Sequence, residues 1–348
     1  MKRAEKHYHR LRVKEIKEET KGFKTIVFEE GHNIAYKAGQ YLTLVCFDGE
    51  VELRRSYSIT SSPVLAEPLS IGVKRVENGA FSRQLIDRTQ PGDELLSSGS
   101  GGFFVLPDDA DLYSQFFFFA AGSGITPVLS LIKTALHTLA HCRLVLVYSN
   151  ASVEKAAYLQ DLFTLQEQFA DRFILETLFS NNADLSRARL HRDLLLAYRL
   201  QHAGTEEART MYYICGPESY MRLCTYTLQE AGVDPARIRK ENFYFSNVQK
   251  RDSSPPDKAD HTALIRLGND AYSIPVTFPD SILKAAKKQG LVLPYSCEAG
   301  RCGNCVAKCV AGTVWHSYNE VLTEKELGQG LVLTCVGHPV NGDVMLQL

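Results

Sequence analysis

The rhythm of hydrophobic and polar positions changes twice along the chain. Over residues 1–108 the apolar residues fall in short runs, among them "YLTLVCF" (Tyr41–Phe47), "ELRRSYSIT" (Glu52–Thr60) and "LSIGVKRV" (Leu69–Val76). The runs are rich in Val, Ile, Thr and aromatics. Gly, Pro, Asn and Asp separate them, as in "FDGE" and "TQPGDE". Short strands with turn chemistry between them predict an antiparallel barrel or sandwich. One short helix is expected around Phe81–Arg88.

From about residue 112 to 246 the period lengthens. "QFFFFAAGSGITPVLSLIKTALHTL" is an apolar run, a Gly-rich turn and a helix. "CRLVLVYSN" is a second apolar run, followed by the helix-length "EKAAYLQDLFTLQEQF". "RFILETLFS" and "TMYYICGPESYMRLCTYTLQEAG" repeat the theme. Apolar strands alternating with helices predict a parallel sheet covered on both faces. Four consecutive phenylalanines, Phe116–Phe119, fit a doubly buried strand.

"SNVQKRDSSPPDKAD" (Ser246–Asp260) is polar and contains Pro-Pro, which predicts an extended linker over about 247–260. Beyond it, strands are expected at "TALIRL" and "YSIPVTF", and a helix at "SILKAAKKQG" that ends on Gly290. The organisation expected is 1–110, 111–246, a linker and 261–348. A length of 348 residues suits two or three domains.

Charge adds mainly exclusions. The 39 basic and 40 acidic residues leave a formal net charge of −1, with no basic footprint for a nucleic acid. The basic N-terminus lacks the apolar stretch of a signal peptide, and no apolar run is long enough to cross a bilayer. A cytoplasmic location, without membrane or nucleic-acid partners, is the expectation.

Cysteine changes the picture more. Nine are present, and five crowd the last 52 residues. In a reducing compartment that asymmetry favours a metal or redox centre. Four residues separate Cys297 from Cys302 and two separate Cys302 from Cys305, an iron–sulfur spacing whose fourth ligand lies far off. Cys335 is distant; Cys309 sits in "VAKCVAG", a plausible strand, where a thiol serves as a small hydrophobe. Gly300 and Gly303 flank Cys302 and suit a loop wrapping closely round sulfide. Structural zinc sites usually show two short ligand pairs, and only one C-x2-C is present.

"LPYSCEAGRCGNC", with "LTC" nearer the end, resembles the plant-type [2Fe–2S] ferredoxins over about ninety residues. The resemblance implies a β-grasp α+β fold, one-electron transfer and the ligands Cys297, Cys302, Cys305 and Cys335. Residues 261–348 hold seven Lys/Arg and seven Asp/Glu. A neutral surface suits a ferredoxin tethered to its electron donor.

Upstream, "RRSYSIT" contains Arg55-x-Tyr57-Ser58, with Arg55 and Tyr57 on one side of a strand. "NGAFS" (Asn78–Ser82) opens a helix whose N–H groups suit a phosphate. "AAGSGITP" (Ala120–Pro127) lies between strand and helix but departs from the dinucleotide fingerprint at its third glycine. "YYICGPESYM" (Tyr212–Met221) repeats the strand–turn–helix pattern. In this order the four motifs resemble the ferredoxin–NADP reductase family over roughly residues 1–246.

That resemblance implies a Greek-key flavin barrel followed by an α/β nucleotide domain. It implies that Arg55 binds the flavin pyrophosphate, that Tyr57 packs on the flavin ring and that Ser58 hydrogen-bonds near its reactive nitrogen. Gly79, Phe81 and Ser82 would cradle the diphosphate, with Val73 and Lys74 on the neighbouring strand. Gly122, Ser123, Gly124, Thr126 and Pro127 would lie under the nicotinamide dinucleotide. Cys215, Gly216, Pro217 and Met221 would border its ring, with Ser58 and Cys215 at the site of hydride transfer. Taken alone, Cys215 is an ordinary buried strand residue.

Flavin, nucleotide and ferredoxin segments in one chain resemble the reductase components of multicomponent oxygenases, especially the reductase subunits of phenylacetyl-CoA epoxidases. The route implied is NAD(P)H to FAD to [2Fe–2S] to an oxygenase. FAD is favoured over FMN because the Gly79–Ser82 turn offers a second phosphate site. Another acceptor, such as a hybrid-cluster protein or a desaturase, stays open. So does an electron-transfer subunit like that of dihydroorotate dehydrogenase, although the gap from Cys305 to Cys335 argues against it. The coenzyme is open too. Ala151 stands where an arginine could meet a 2′-phosphate, and Lys155 and Arg187 are the candidates to replace it.

Overall fold

The structure is a computed structural model that describes residues 8–48, 51–77, 79–203, 207–243 and 254–348. Asn78 of the expected phosphate turn and residues 247–253 of the expected linker lie outside the described residues. The chain forms two compact units, Met1–Glu241 and Asn242–Leu348.

The first unit opens with six strands and one helix: β1 (His9–Thr20), β2 (Phe23–Phe28), β3 (Tyr41–Asp48), β4 (Val51–Ser58), β5 (Ser70–Lys74), α1 (Ala80–Asp87) and β6 (Glu94–Gly101). They pair antiparallel in the order β4-β3-β6-β1-β2-β5. A bridge from Ile59 to Ile71 joins the two ends of that order and curls the sheet into a barrel. Leu11, Val13, Ile26, Phe28, Leu42, Leu44, Ile71 and Val73 fill it. Strand β1 lies in a stretch too charged for the sequence pattern to flag, and β2 is absent from the expected elements although five of its six residues are buried. In β1 only Leu11 and Val13 are fully buried, between exposed charged neighbours.

The same unit continues with β7 (Gln115–Ala121), α2 (Ile125–Thr138), β8 (Arg143–Asn150), α3 (Leu159–Gln168), β9 (Phe173–Phe179), α4 (Arg192–Gln201), β10 (Thr210–Cys215), α5 (Glu218–Glu230) and β11 (Ile238–Glu241). Strand order is β11-β10-β7-β8-β9, parallel throughout. Phe116–Phe119 are at most 1% exposed, as a strand covered on both faces requires. The order reverses at β7, which places the ligand crevice at the carboxyl ends of β7 and β10.

Helix α3 begins five residues later than the run from Glu154 predicts. Tyr158 sits in the left-handed region at φ 59°, with its hydroxyl 2.7 Å from Thr25 and its ring against Phe23. Docking on the barrel overrides helix propensity there. Helix α4 has no counterpart in the expected elements.

The second unit holds β12 (His261–Leu267), β13 (Asp270–Val276), α6 (Ile282–Lys288), β14 (Val306–His316), α7 (Glu324–Gly328), β15 (Leu331–Leu333) and β16 (Gly337–Gln347). The mixed sheet runs β13-β12-β16-β14-β15, with β12 parallel to β16. Helix α6 buries Ile282, Leu283, Ala285 and Ala286, and Ser281 caps its start by accepting from the Lys284 amide. This is the grasp of a mixed sheet round its main helix, α6. Among the described residues no helix is long and apolar enough to cross a membrane.

Candidate functional site

Two sites emerge, one in each unit. In the first, β4 pairs with β3 and presents Arg55, Tyr57 and Ser58 in succession. Arg55 is exposed, Tyr57 is partly buried and Ser58 is buried. The Tyr57 ring lies 6.2 Å from that of Phe81. Val73 is fully buried in β5, whereas Lys74 is exposed at its end.

Gly79 is the N-cap of helix α1. Ser82 is committed to the turn before it: its Oγ accepts from the Val76 amide at 3.1 Å and donates to the Gly79 carbonyl at 3.1 Å. A Cβ on Gly79 would lie 2.6 Å from that Oγ. No side chain caps the helix, so its first amides remain open to an anion. The serine therefore shapes the cradle, and the backbone presents it. With the Tyr57 ring beside Phe81 of α1 and Arg55 two residues before it on β4, the donor set fits a flavin diphosphate and ring.

At the end of β7 the chain turns through Gly122 (φ 55°), Ser123 and Gly124 into α2. A Cβ on Gly122 would meet nothing within 4 Å, whereas one on Gly124 would lie 2.1 Å from the Cys215 carbonyl oxygen. Gly124 thus lets the β7 and β10 loops touch. Thr126 donates to the Ser123 carbonyl at 2.9 Å and closes the turn; Pro127 is buried behind it. A cleft of about 740 Å³ opens over Gly122 and Ser123, bounded by Pro217 and Tyr220 on one side and by Lys74 of the barrel on another. Met221, expected beside the coenzyme, is instead packed in the core with Phe119, Ile214 and Cys224.

Cys215 ends β10 and is fully buried. Burial, with the Glu241 carboxyl beside it, pushes its thiol well above the ordinary range, so it is neutral and no nucleophile. Register pairs Cys215 with Glu241 at the end of β11. Ser58 donates to Glu241 Oε2 at 3.4 Å. Burial pushes the Glu241 carboxyl up to about 8, and the Ser58 hydrogen bond pulls it partly back. Glu241 is a site residue that sequence reasoning missed. "KENF" carries no spacing motif, and only strand register brings it to Cys215.

In the second unit the cysteine loop winds through three left-handed residues, Glu298 (φ 53°), Gly300 (φ 71°) and Gly303 (φ 76°). A Cβ on Gly300 would lie 2.7 Å from the Tyr318 carbonyl oxygen. The Ala299 amide donates to Cys297 Sγ at 3.4 Å, and the Arg301 and Cys302 amides point the same way. Those donors and the Cys302 thiol lower the Cys297 thiol to about 6. Cys335 donates to Cys305, which lowers the Cys305 thiol and raises that of Cys335. The Thr334 hydroxyl and amide both donate to the Cys305 carbonyl, at 3.0 and 3.1 Å.

The four sulfurs therefore stand as two pairs, Cys297 with Cys302 and Cys305 with Cys335. No group of three or more ligands suited to a single metal ion occurs among the described residues. Four cysteine sulfurs in two neighbouring pairs fit the donor set of a two-iron centre. Cys309 turns its Sγ toward the Ala311 carbonyl at 3.3 Å.

Comparison with known proteins bears on both sites at once. Residues 10–105 match the oxidoreductase FAD-binding domain, 118–225 the oxidoreductase NAD-binding domain and 268–340 the 2Fe-2S iron-sulfur cluster binding domain. One component of the 1,2-phenylacetyl-CoA epoxidase of Escherichia coli is 32% identical, over 97% of each chain. The chain belongs to the oxygenase reductase components. A 3-ketosteroid-9-alpha-monooxygenase ferredoxin reductase component from Mycolicibacterium smegmatis is 31% identical over 97% of this chain and 96% of its own. In fold, the reductase is similar to phthalate dioxygenase reductase, with a TM-score of 0.59 over 98% of both chains at 21% identity. As a member of this family it is an NAD(P)H-dependent flavin and iron–sulfur oxidoreductase. It passes electrons from NAD(P)H through FAD and a [2Fe–2S] cluster to an oxygenase.

Proposed function

We propose that the oxygenase served is one of the phenylacetyl-CoA epoxidase type, and that the residues above hold the redox groups. The relative that carries this reading is the epoxidase component, which matches end to end. Arg55 and the first amides of α1 would hold the flavin diphosphate, and Tyr57 would face the ring. The cleft over Gly122 and Ser123 would hold the dinucleotide. Cys297, Cys302, Cys305 and Cys335 would hold the two irons.

Bound flavin supplies the change from two-electron to one-electron chemistry. The chain's own part is placement and electrostatics. Ser58, Cys215 and Glu241 enclose the place where nicotinamide and flavin would meet, with a neutral thiol and a carboxyl that stays largely protonated below pH 8. Water is kept from the Cys215 sulfur by full burial.

Steady-state assays of the loaded protein test the reading. NAD(P)H should reduce ferricyanide and cytochrome c. Addition of the epoxidase's oxygenase subunits and phenylacetyl-CoA should couple coenzyme consumption to epoxide formation. Coupling to a ketosteroid oxygenase and not to the epoxidase would reassign the acceptor. No coenzyme oxidation by flavin-loaded protein would remove the reductase reading.

A further inference from the structure

We propose that Arg301 is a positioning residue of the cysteine loop: clamped between Glu320 and Tyr318, it fixes the turn whose amides face Cys297 and thereby raises the reduction potential of the cluster. The inference rests on the reading of the four cysteines as ligands and goes beyond it, because Arg301 is not a ligand. The C-x4-C-x2-C spacing does not require an arginine at that position.

Arg301 precedes Cys302 directly, yet its side chain is only 8% exposed. A buried guanidinium is costly unless it is paired. Its Nε meets Glu320 Oε2 at 3.2 Å, and its Cζ stands 5.3 Å from the centre of the Tyr318 ring. The Tyr318 hydroxyl donates to the same Glu320 oxygen at 3.1 Å. Three side chains thus hold one another in place.

The backbone follows the same seam. The Glu320 amide donates to the Gly300 carbonyl at 3.1 Å, where the left-handed Gly300 comes close to the Tyr318 carbonyl. The anchor is itself braced, because Asn319 Oδ1 accepts from the Val321 and Leu322 amides at 3.1 and 2.9 Å. The Ser317 amide donates to the Val336 carbonyl at 3.0 Å, one residue past Cys335. Residues 317–320 therefore grip both the loop and the segment of the distant cysteine.

A second ion pair on the loop supplies the contrast. Lys287 meets Glu298 at 2.7 Å, but the two side chains are 32% and 49% exposed. Solvent screens such a pair, and it positions little. The Arg301 clamp instead bears on the turn whose Ala299, Arg301 and Cys302 amides face the Cys297 sulfur. Amides aimed at a sulfur stabilise the added negative charge of the reduced state, so fixing them raises the potential.

Spectroelectrochemical titration of the full-length, flavin-loaded protein, read on the electron paramagnetic signal of the reduced cluster, tests this apart from turnover. Arg301→Lys keeps the charge but loses the planar fork and the stack on Tyr318. Tyr318→Leu changes no charge. Arg301→Lys should lower the equilibrium constant for reduction about tenfold, equivalent to about 59 mV for one electron. Tyr318→Leu should lower it in the same direction by less. Both should release iron to a chelator faster than the parent, and Lys287→Gln should change neither property. An unmoved potential in Arg301→Lys overturns the proposal. If iron is then lost faster, the arginine serves only stability; if Arg301→Gln alone lowers the potential, the effect is one of charge and not of placement. Should Arg301→Lys take up no cluster, Tyr318→Leu decides by itself. If the parent shows no [2Fe–2S] absorption, the ligand reading falls with the proposal; if the absorption is there and the potentials do not move, the ligand reading stands.

Discussion

The cysteine loop and the Ser58–Cys215–Glu241 cluster, the two places proposed for redox chemistry, have opposite distributions of residues along the chain. Three of the four cysteines proposed as ligands lie within nine residues, Cys297–Cys305, and the backbone between them supplies the sulfur donors. Ser58 and Glu241 are 183 residues apart at the ends of β4 and β11, in different sheets, and the packing of the barrel against the parallel sheet within the first unit brings their side chains together. A local site is coded by spacing and by residues that tolerate left-handed backbone. A distributed site is coded by the fold, so its members carry no motif of their own. The two sites should therefore fail independently and in different ways.

The largest effect expected is at the cluster. Cys335→Ala should abolish the [2Fe–2S] absorption and the reduction of cytochrome c, because a thiolate pair becomes a single thiolate. Ferricyanide reduction through the flavin should survive. Cys309→Ala should leave the spectrum intact, since its Sγ faces the Ala311 carbonyl. Bleaching by Cys309→Ala and not by Cys335→Ala would reverse the ligand choice and break the two-pair arrangement.

The same contrast explains what could be read from the sequence. The C-x4-C-x2-C spacing, the Arg55–Ser58 run and the glycine turn after β7 are contiguous; the first points to its chemistry alone, the other two only in combination. The strands around Tyr41, Glu52 and Leu69 and the buried phenylalanine strand also follow from local pattern. β1 does not, because charged side chains line the exposed face of a strand that buries only Leu11 and Val13 over its length. The start of α3 does not, because the Tyr158 contact with Thr25 comes from the other end of the unit. Glu241 and the cation set of the cleft belong to the same class. Lys21, Lys155 and Arg189 look like solvated surface charges until the fold gathers them round one cleft without a carboxylate. The sequence offered Lys155 and Arg187 as equals; the structure separates them, because Arg187 is paired with Glu176 and does not line the cleft.

A second prediction turns on close approach. A methyl group at position 124 would press on the Cys215 carbonyl oxygen at 2.1 Å and the Gly216 nitrogen at 2.9 Å, both backbone atoms that cannot rotate away. Gly124→Ala should cost about 1–3 kcal/mol of stability in the reductase unit, as overpacking does. It should also weaken nucleotide binding, while the cluster absorption stays unchanged. Loss of the cluster along with nucleotide binding would contradict independent failure.

The smallest effect is the most specific to the distributed site, and it is read as a dependence on pH. The Glu241 carboxyl stands at about 8 in the folded protein because burial disfavours its charge, against an ordinary value of 4.5. Between those values the folded chain keeps a proton that the unfolded chain releases, so stability falls as pH rises through the window. The loss is complete above about 8 and absent below 4.5. Glu241→Gln keeps the shape and a hydrogen-bonding partner for Ser58 but cannot ionise. The variant's melting temperature should therefore exceed that of the parent most at pH 8.5, and the two should converge toward pH 5. Parallel melting curves over that range would mean that Glu241 ionises like a solvated carboxylate. The enclosure by Ser58 and Cys215 would then be too open to exclude water. The cluster absorption serves as the internal control, because no part of the Glu241 argument touches the four cysteines.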